Sequence, residues 1–319
     1  HWEQTGGPDV ELTDAEASRP VFVPTQSGTY IFSLKVSDGY KESEPDSVSI
    51  EISRVSGKLA FTSSITQIGW EIYTIKADGT ELERLTENIY YDAGPKWSPD
   101  GDRLLYTTNP SHDGATYYVA TMNEDGSGVN VLPLEGGGQD WSPDGDHLLY
   151  ASIYNNIYEV YVSGTDGSNP TRLTTTWKDK TSIGYSYDGE RIVMTQEFGY
   201  DNFEVVVMDA DGGNQVRLTD DDKVHLCAMW THDNNILYTT ADWFGGKDTL
   251  NLMSSDGSGK QSLSLPDGID NVIVPVMTND GNFIFYTGDD DYLHVMYADG
   301  SADLSLGIWG TKVDYHPGP

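Results

Sequence analysis

Four tryptophans of this 319-residue chain, Trp70, Trp177, Trp243 and Trp309, fall in or beside irregular segments, together with Tyr90, Tyr91, Tyr154, Phe198, Tyr200 and Phe244. Flat rings beside amides and carboxylates suit the stacking of sugars and equally suit the anchoring of a protein partner. The plainer alternative is that these rings pack inside their own loops. Two acidic runs, Asp220-Asp221-Asp222 and Asp289-Asp290-Asp291, offer oxygen ligands without sulfur, a set suited to calcium. No Asp-x-Asp-x-Asp-Gly loop with a downstream Glu accompanies them, so a merely solvated acidic run is the competing reading. Calcium is the one cofactor the sequence suggests.

Motifs for turnover are missing. His112, His225 and His294 are dispersed, and His147 and His232 occupy repeat positions. His112 and His225 are the pair with a chance of facing a common channel mouth. No Gly-x-Ser-x-Gly elbow occurs. Gly136-Gly-Gly138 lies between strands, with no helix N-terminus behind it to hold phosphate. The lone Cys227 sits in the apolar run Leu226-Cys-Ala-Met-Trp230, which reads as core, and it excludes an intrachain disulfide and a thiolate cluster.

The elements that must hold these residues repeat. Asp-Gly turns recur at Asp78, Asp125, Asp166, Asp211, Asp256 and Asp299, spaced 41 to 47 residues apart. A second series runs between them: Trp97-Ser-Pro-Asp-Gly101, Trp141-Ser-Pro-Asp-Gly145, Tyr185-Ser-Tyr-Asp-Gly189, Trp230-Thr-His-Asp-Asn234 and Met277-Thr-Asn-Asp-Gly281. Two turn signals per period predict four-stranded blades around an axis. The apolar runs Leu104-Leu-Tyr106, Leu148-Leu-Tyr150, Ile192-Val-Met194 and Ile236-Leu-Tyr238 read as the first strand of each blade. Both turn series then emerge on one face, and the variable, aromatic segments emerge on the other. Trp97, Trp141 and Trp230 are assigned to packing. The count gives an all-β, six-bladed propeller in which each blade is contributed whole, so the ring is expected to close by face packing alone. Lys312-Val-Asp-Tyr-His-Pro317 reads as the strand before one more turn.

Composition shifts near residue 55, which sets the expected domains at 1–54 and 55–319. Before it, Val21-Phe-Val23, Tyr30 to Val36 and Val48 to Ile52 alternate as in a small antiparallel sandwich. Trp2-Glu-Gln-Thr-Gly-Gly-Pro8, the run to Phe22, Gly28-Thr-Tyr30 and Val36-Ser-Asp-Gly39 resemble a PKD-type, immunoglobulin-like domain. Such domains usually carry two further strands ahead of the Trp. A partial sandwich exposes edge backbone, and either truncation or completion by a strand from a neighbouring copy, in a filament or surface layer, would account for it. From residue 57 to 316 the repeats resemble TolB-like propellers, whose aromatic-Ser-Pro-Asp-Gly and Asp-Gly-Ser/Thr turns they share. That fold hosts adaptor proteins, lyases, protease domains and surface proteins, so the resemblance implies architecture more than activity.

Eighteen Lys and Arg against 51 Asp and Glu leave a net charge of −33. Such a surface repels nucleic acid and anionic membranes. No apolar run is long enough to span a bilayer as a helix. The sequence reading is therefore a non-catalytic binding or assembly protein, extracellular or at the cell surface, with the periplasm as second choice. Its expected partners are a polysaccharide or a protein, including further copies of itself. A polysaccharide lyase or hydrolase working at the variable face is the rival reading.

Overall fold

The computed structural model describes residues 1–22, 28–52, 55–66, 69–111, 116–200, 202–241, 248–265, 268–301 and 303–318. The chain divides into two units, His1–Ser56 and Gly57–Pro319. Among the described residues every regular element is a β-strand.

In the first unit, alternating side chains build a three-stranded antiparallel sheet with Gly28–Leu34 between Trp2–Gly6 and Asp46–Ile52. A short ribbon, Leu12–Thr13 against Val21–Phe22, lays the Phe22 ring on Tyr30 and Phe32, at centroid distances of 5.3 and 4.8 Å. Tyr30 and Phe32 are buried, and these rings form the unit's small core. Asp46–Ile52 is an edge strand whose residues Asp46, Ser47, Val48 and Ser49 are all exposed, so neither face is covered there.

Among the described residues the second unit holds six four-stranded antiparallel sheets. One of them shows the plan: Asp92–Trp97, Arg103–Thr108, Tyr118–Asn123 and Asn130–Glu135 pair in chain order. The Trp-Ser-Pro-Asp-Gly segment is the hairpin between its first two strands. There the Ser98 amide donates to the Arg103 carbonyl at 2.9 Å, and the Arg103 amide donates to Ser98 Oγ at 2.9 Å. The Ser98 hydroxyl donates in turn to Asp100 Oδ1 at 2.6 Å, and Gly101 closes the turn at φ 77°. The hydroxyl bonds recur at Ser142, Ser186, Thr231 and Thr278.

A hairpin joins neighbours within one sheet, so the strand before each of these turns opens its own blade. The sequence expectation, which put that strand at the end of the preceding blade, is off by one. The apolar runs such as Leu104-Leu-Tyr106 are second strands, fully buried between flanking strands. The same shift overturns closure by face packing alone. Thr311–His316 pairs with Lys58–Ser63, with Asp314 opposite Ala60 and His316 opposite Lys58, and becomes the first strand of the first sheet. An inner strand left unpaired would orphan a row of backbone groups, and this ladder satisfies them.

The six first strands are Thr311–His316, Asp92–Trp97, Gly137–Trp141, Lys180–Tyr185, Val224–Trp230 and Ile273–Met277. Each neighbours the next, and the last neighbours the first, so they enclose a central channel. This is a β-propeller. Trp97, Trp141 and Trp230 are buried between successive sheets, Trp141 against Leu105, Leu132 and Leu148. Arg103 and Arg191 cap Trp141 and Trp230 at 4.7 and 4.9 Å from the ring centroids.

Every first strand breaks its ladder at the same place. The registers slip beside Gly94, Gly138, Ser182, Cys227, Val274 and Lys312, and each of these residues has φ between 46° and 64°. The result is a ring of six β-bulges around the channel. Two positions meet the left-handed requirement with glycine; Val274, β-branched, is strained there. Cys227 is part of this ring and half-buried on the channel wall, which corrects its reading as a core residue. Burial pushes its thiol above the ordinary cysteine range.

Candidate functional site

The third-to-fourth connection of every blade, and the first-to-second connection of all but the blade closed by Thr311–His316, are the repeated turns, and they share one face. The remaining connections share the other, variable face. There the structure gathers Trp70, Tyr91 and Trp309, although Trp309 lies more than two hundred residues from the other two in sequence. The Trp309 and Trp70 rings lie 5.2 Å apart, Trp70 and Tyr91 6.4 Å, and Tyr91 meets Tyr117 edge-on at 5.5 Å. The four rings form a continuous aromatic shelf across three blades. Trp70, Tyr91 and Trp309 are half-buried, and Tyr117 is more open.

Backbone bonds fix the shelf. The Asp92 amide donates to the Trp70 carbonyl at 2.9 Å, the Asn109 amide to the Tyr91 carbonyl at 3.0 Å, and the Gly136 amide to the Tyr117 carbonyl at 2.9 Å. Ser63 Oγ donates to the Trp309 carbonyl at 2.6 Å. Trp309 reaches this place because the strand after it, Thr311–His316, is laced to Lys58–Ser63. Lys312 Nζ lies 3.3 Å from the Tyr91 hydroxyl, at the junction of shelf and channel rim. Tyr117 is the shelf residue that sequence reasoning missed; its place directly before the strand Tyr118–Asn123, where Trp70 precedes Glu71–Lys76, was the available signal.

A second group lies on the following blades. Tyr154 and Trp177 are 6.4 Å apart, and the Arg172 guanidinium sits 4.0 Å over the Tyr154 ring. Trp177 is 64% exposed at φ 57°, an indole held out toward solvent. Phe198 lies between two cations, Lys178 at 4.0 Å and Arg217 at 4.3 Å. Tyr200 is 91% exposed at the tip of the hairpin that carries Phe198, and Tyr90 is half-buried beside the shelf. Trp243, Phe244 and His112 lie outside the described residues.

The acidic runs do not converge as calcium ligands would. Asp220 pairs with Arg217 at 2.6 Å, and Asp221 faces His225 Nε2 at 3.6 Å while accepting the Lys223 amide. Asp222 is exposed. Asp289 accepts the amides of Asp270 and Asn271, Asp290 contacts His294 Nε2 at 3.1 Å, and Asp291 is exposed. Among the described residues no group of three or more His, Cys, Asp or Glu is placed to hold a metal ion. His225 is buried against Glu204, 3.2 Å away, so it does not reach the channel mouth.

Buried carboxylates behind this face are structural. Glu71, Glu159 and Glu204 each lie at or near the start of a third strand, opposite the Thr of an Arg-Leu-Thr motif: Thr86, Thr174 and Thr219. The Thr86 and Thr174 hydroxyls donate directly to Glu71 and Glu159. Each of the three Thr hydroxyls accepts the amide after the glutamate, at 2.9 Å. Arg84 and Arg217 pair with Glu71 and Glu204 at 3.0 and 2.6 Å. In the remaining blade Arg172 has turned to Tyr154, and the wholly buried Lys180 takes its place on Glu159 at 2.7 Å.

The channel carries charge that sequence reasoning did not foresee. Two residues beyond each bulge, one layer of the wall reads Asp314, Lys96, Asp140, Gly184, Met229 and Val276 around the ring. Lys96 Nζ lies 2.7 Å from Asp314 Oδ1. Asp314 Oδ2 accepts the Trp97 amide, and Asp140 Oδ2 accepts the Tyr185 amide, both at 2.9 Å, so each carboxylate staples its blade to the next. A Cβ at Gly184 would come within 3.3 Å of that Asp140 oxygen. Burial pushes the Asp140 carboxyl up to about 6; Lys96 and the Tyr185 amide pull it back only in part, and Asp314 adds to the rise. Burial pulls the Lys96 ammonium down, but Asp314 and Asp140 outweigh it and hold it above the ordinary lysine range.

A ring of radiating four-stranded sheets around a channel, with constant turns on one face and aromatic loops on the other, defines a β-propeller. Residues 53–184 match the TolB beta propeller domain, and residues 1–52 match a PKD domain. The chain thus carries a PKD domain followed by a TolB-like propeller. Among solved structures it is similar to TolB from Acinetobacter baumannii, with 16% identity over 91% of this chain and 80% of that one, at a TM-score of 0.67. A putative TolB from Agrobacterium tumefaciens is 18% identical over 83% of this chain and 100% of its own, at 0.62. An oligogalacturonate lyase in complex with manganese is 16% identical over 78% of this chain and 73% of its own, at 0.57. At these identities the likeness is one of fold. No curated protein matches the chain at a significant level.

Proposed function

We propose that this protein is a non-catalytic binding module of the cell exterior or envelope, which takes up an extended polysaccharide on the aromatic shelf of the propeller. The observation that carries the reading is the line of rings Trp309, Trp70, Tyr91 and Tyr117, held by backbone bonds and partly open to solvent. Rigid rings lose little entropy on binding and offer broad apolar faces. The group of Tyr154, Trp177 and Phe198 extends the contact surface around the rim. The glutamates behind the face are tied to Thr, Arg and Lys side chains, which favours binding over turnover. A net charge of −33 favours neutral chains over polyuronates.

Affinity electrophoresis against neutral glucans, mannans and galactans, with a polyuronate alongside, tests this reading. Retardation by a neutral polymer without new reducing or unsaturated ends supports it; release of such ends would move the protein to the enzyme class. A protein partner on the same shelf would appear as no retardation by any polymer. The edge strand Asp46–Ile52, exposed from Asp46 to Ser49, favours a second mode of contact, strand addition between copies, which sedimentation at high concentration would register as assembly.

A further inference from the structure

The central channel encloses a cavity of about 570 Å³, a size suited to a small organic ligand. Its charged layer is lopsided. Asp314, Lys96 and Asp140 occupy three consecutive blades, and Gly184, Met229 and Val276 occupy the other three. One wall therefore carries two carboxylates for one ammonium, and the opposite wall is apolar. Lys96 is committed to Asp314, which leaves Asp140 with backbone donors and no cation in contact. Buried charge left short of a counter-ion is costly, and the carboxyl's raised affinity for a proton expresses that cost.

Access to this wall is set by the bulges above it. Above Lys96 and Asp140, the bulge residues of the same two strands are Gly94 and Gly138, and a Cβ at Gly138 would meet nothing within 4 Å. The rim is thus open over Asp140, toward the variable face, whereas a Cβ at Gly94 would meet Gln139 and Lys312 at 3.8 Å.

We infer that the channel is a binding site for a small organic ammonium, whose cationic head is held by Asp140 and whose apolar body lies against Met229 and Val276. The site is separate from the aromatic shelf and does not rest on the glycan reading. The charged and titratable groups lining the channel with Asp140 are Lys96 and Asp314 in its own layer, Lys312 and Cys227 in the bulge ring, and Tyr185, Tyr187, His232, Tyr315 and His316 toward the turn face.

Calorimetric titration of the full chain with 2-phenylethylammonium, and with 2-phenylethanol as its uncharged counterpart, tests the site. Saturable one-to-one binding of the ammonium at pH 7.5 is expected, at least tenfold tighter than that of the alcohol and weakened at least fivefold at pH 5. Asp140→Asn should weaken it tenfold or more. Met229→Lys, which supplies an ammonium from the opposite wall, should abolish it in protein shown by its melting curve to be folded, since Met229 also packs on the Leu237 and Leu250 core. Trp309→Ala, on the shelf, should leave it unchanged. Equal binding of the alcohol, no saturation by millimolar ammonium, or undiminished binding to Met229→Lys would overturn the inference.

Discussion

Trp309 and Trp70 act as single residues whose rings do the touching. Replacing either by Ala should weaken polysaccharide binding by more than about 1 kcal/mol, roughly fivefold in Kd, while Tyr200→Ala, outside the shelf, should cost less than about 0.5 kcal/mol. Parallel isotherms check this. Asp140 governs a different quantity. Its folded carboxyl keeps a proton to about pH 6, whereas the unfolded side chain releases it near 3.8. The folded state therefore binds more protons in that window, and this residue lowers stability as pH rises through it, by about 3 kcal/mol in all. Asp140→Asn should gain on the wild type by up to that amount between pH 4 and pH 7, read from denaturant unfolding at each pH. Indoles outside the repeat positions are visible in sequence, and so most of the shelf was legible. Asp140, Lys96 and Asp314 were not, because their repeat position changes residue type from blade to blade and leaves no period to read.

At the scale of the strand and its turns, the Arg-Leu-Thr motif and the glutamate it serves decide how the outer strands are held. The blade of Glu159 is the informative exception, since Lys180 from the next first strand supplies the counter-charge. Lys180→Ala should destabilise the propeller by about 3 kcal/mol, because it strands a buried carboxylate, and Lys180→Met combined with Glu159→Gln should recover much of the loss. Thermal unfolding of the three proteins checks the order. The motif recurs in the sequence at residues 84–86, 172–174 and 217–219, but its partner is not legible there, because Glu and Arg-Leu-Thr are separated by a hairpin whose register only the fold fixes. The one-strand error in blade boundaries has the same root. Turn chemistry shows that two strands meet, but a turn between blades and a turn within one look alike until pairing is known.

For the whole molecule, the period of about 45 residues was enough to read a propeller of four-stranded sheets. Closure was the part the pattern could not supply, since it depends on a pairing between residues near 60 and residues near 314. Ending the chain after Gly310 would leave Lys58–Ser63 without its inner neighbour and remove the Asp314 staple to Trp97. The propeller's melting temperature should then fall by more than about 10 °C, a loss of several kcal/mol for a unit of this size. The same ladder brings Trp309 to Trp70, so closure and the contact face are one construction. The most direct measurement of that construction's purpose is the affinity of the wild-type chain and a Trp70→Ala, Trp309→Ala double variant for the neutral polysaccharide that retards the wild type most. A loss of at least tenfold with an unchanged melting curve is the expected result, and equal affinity of the two folded proteins would contradict the shelf as the binding surface.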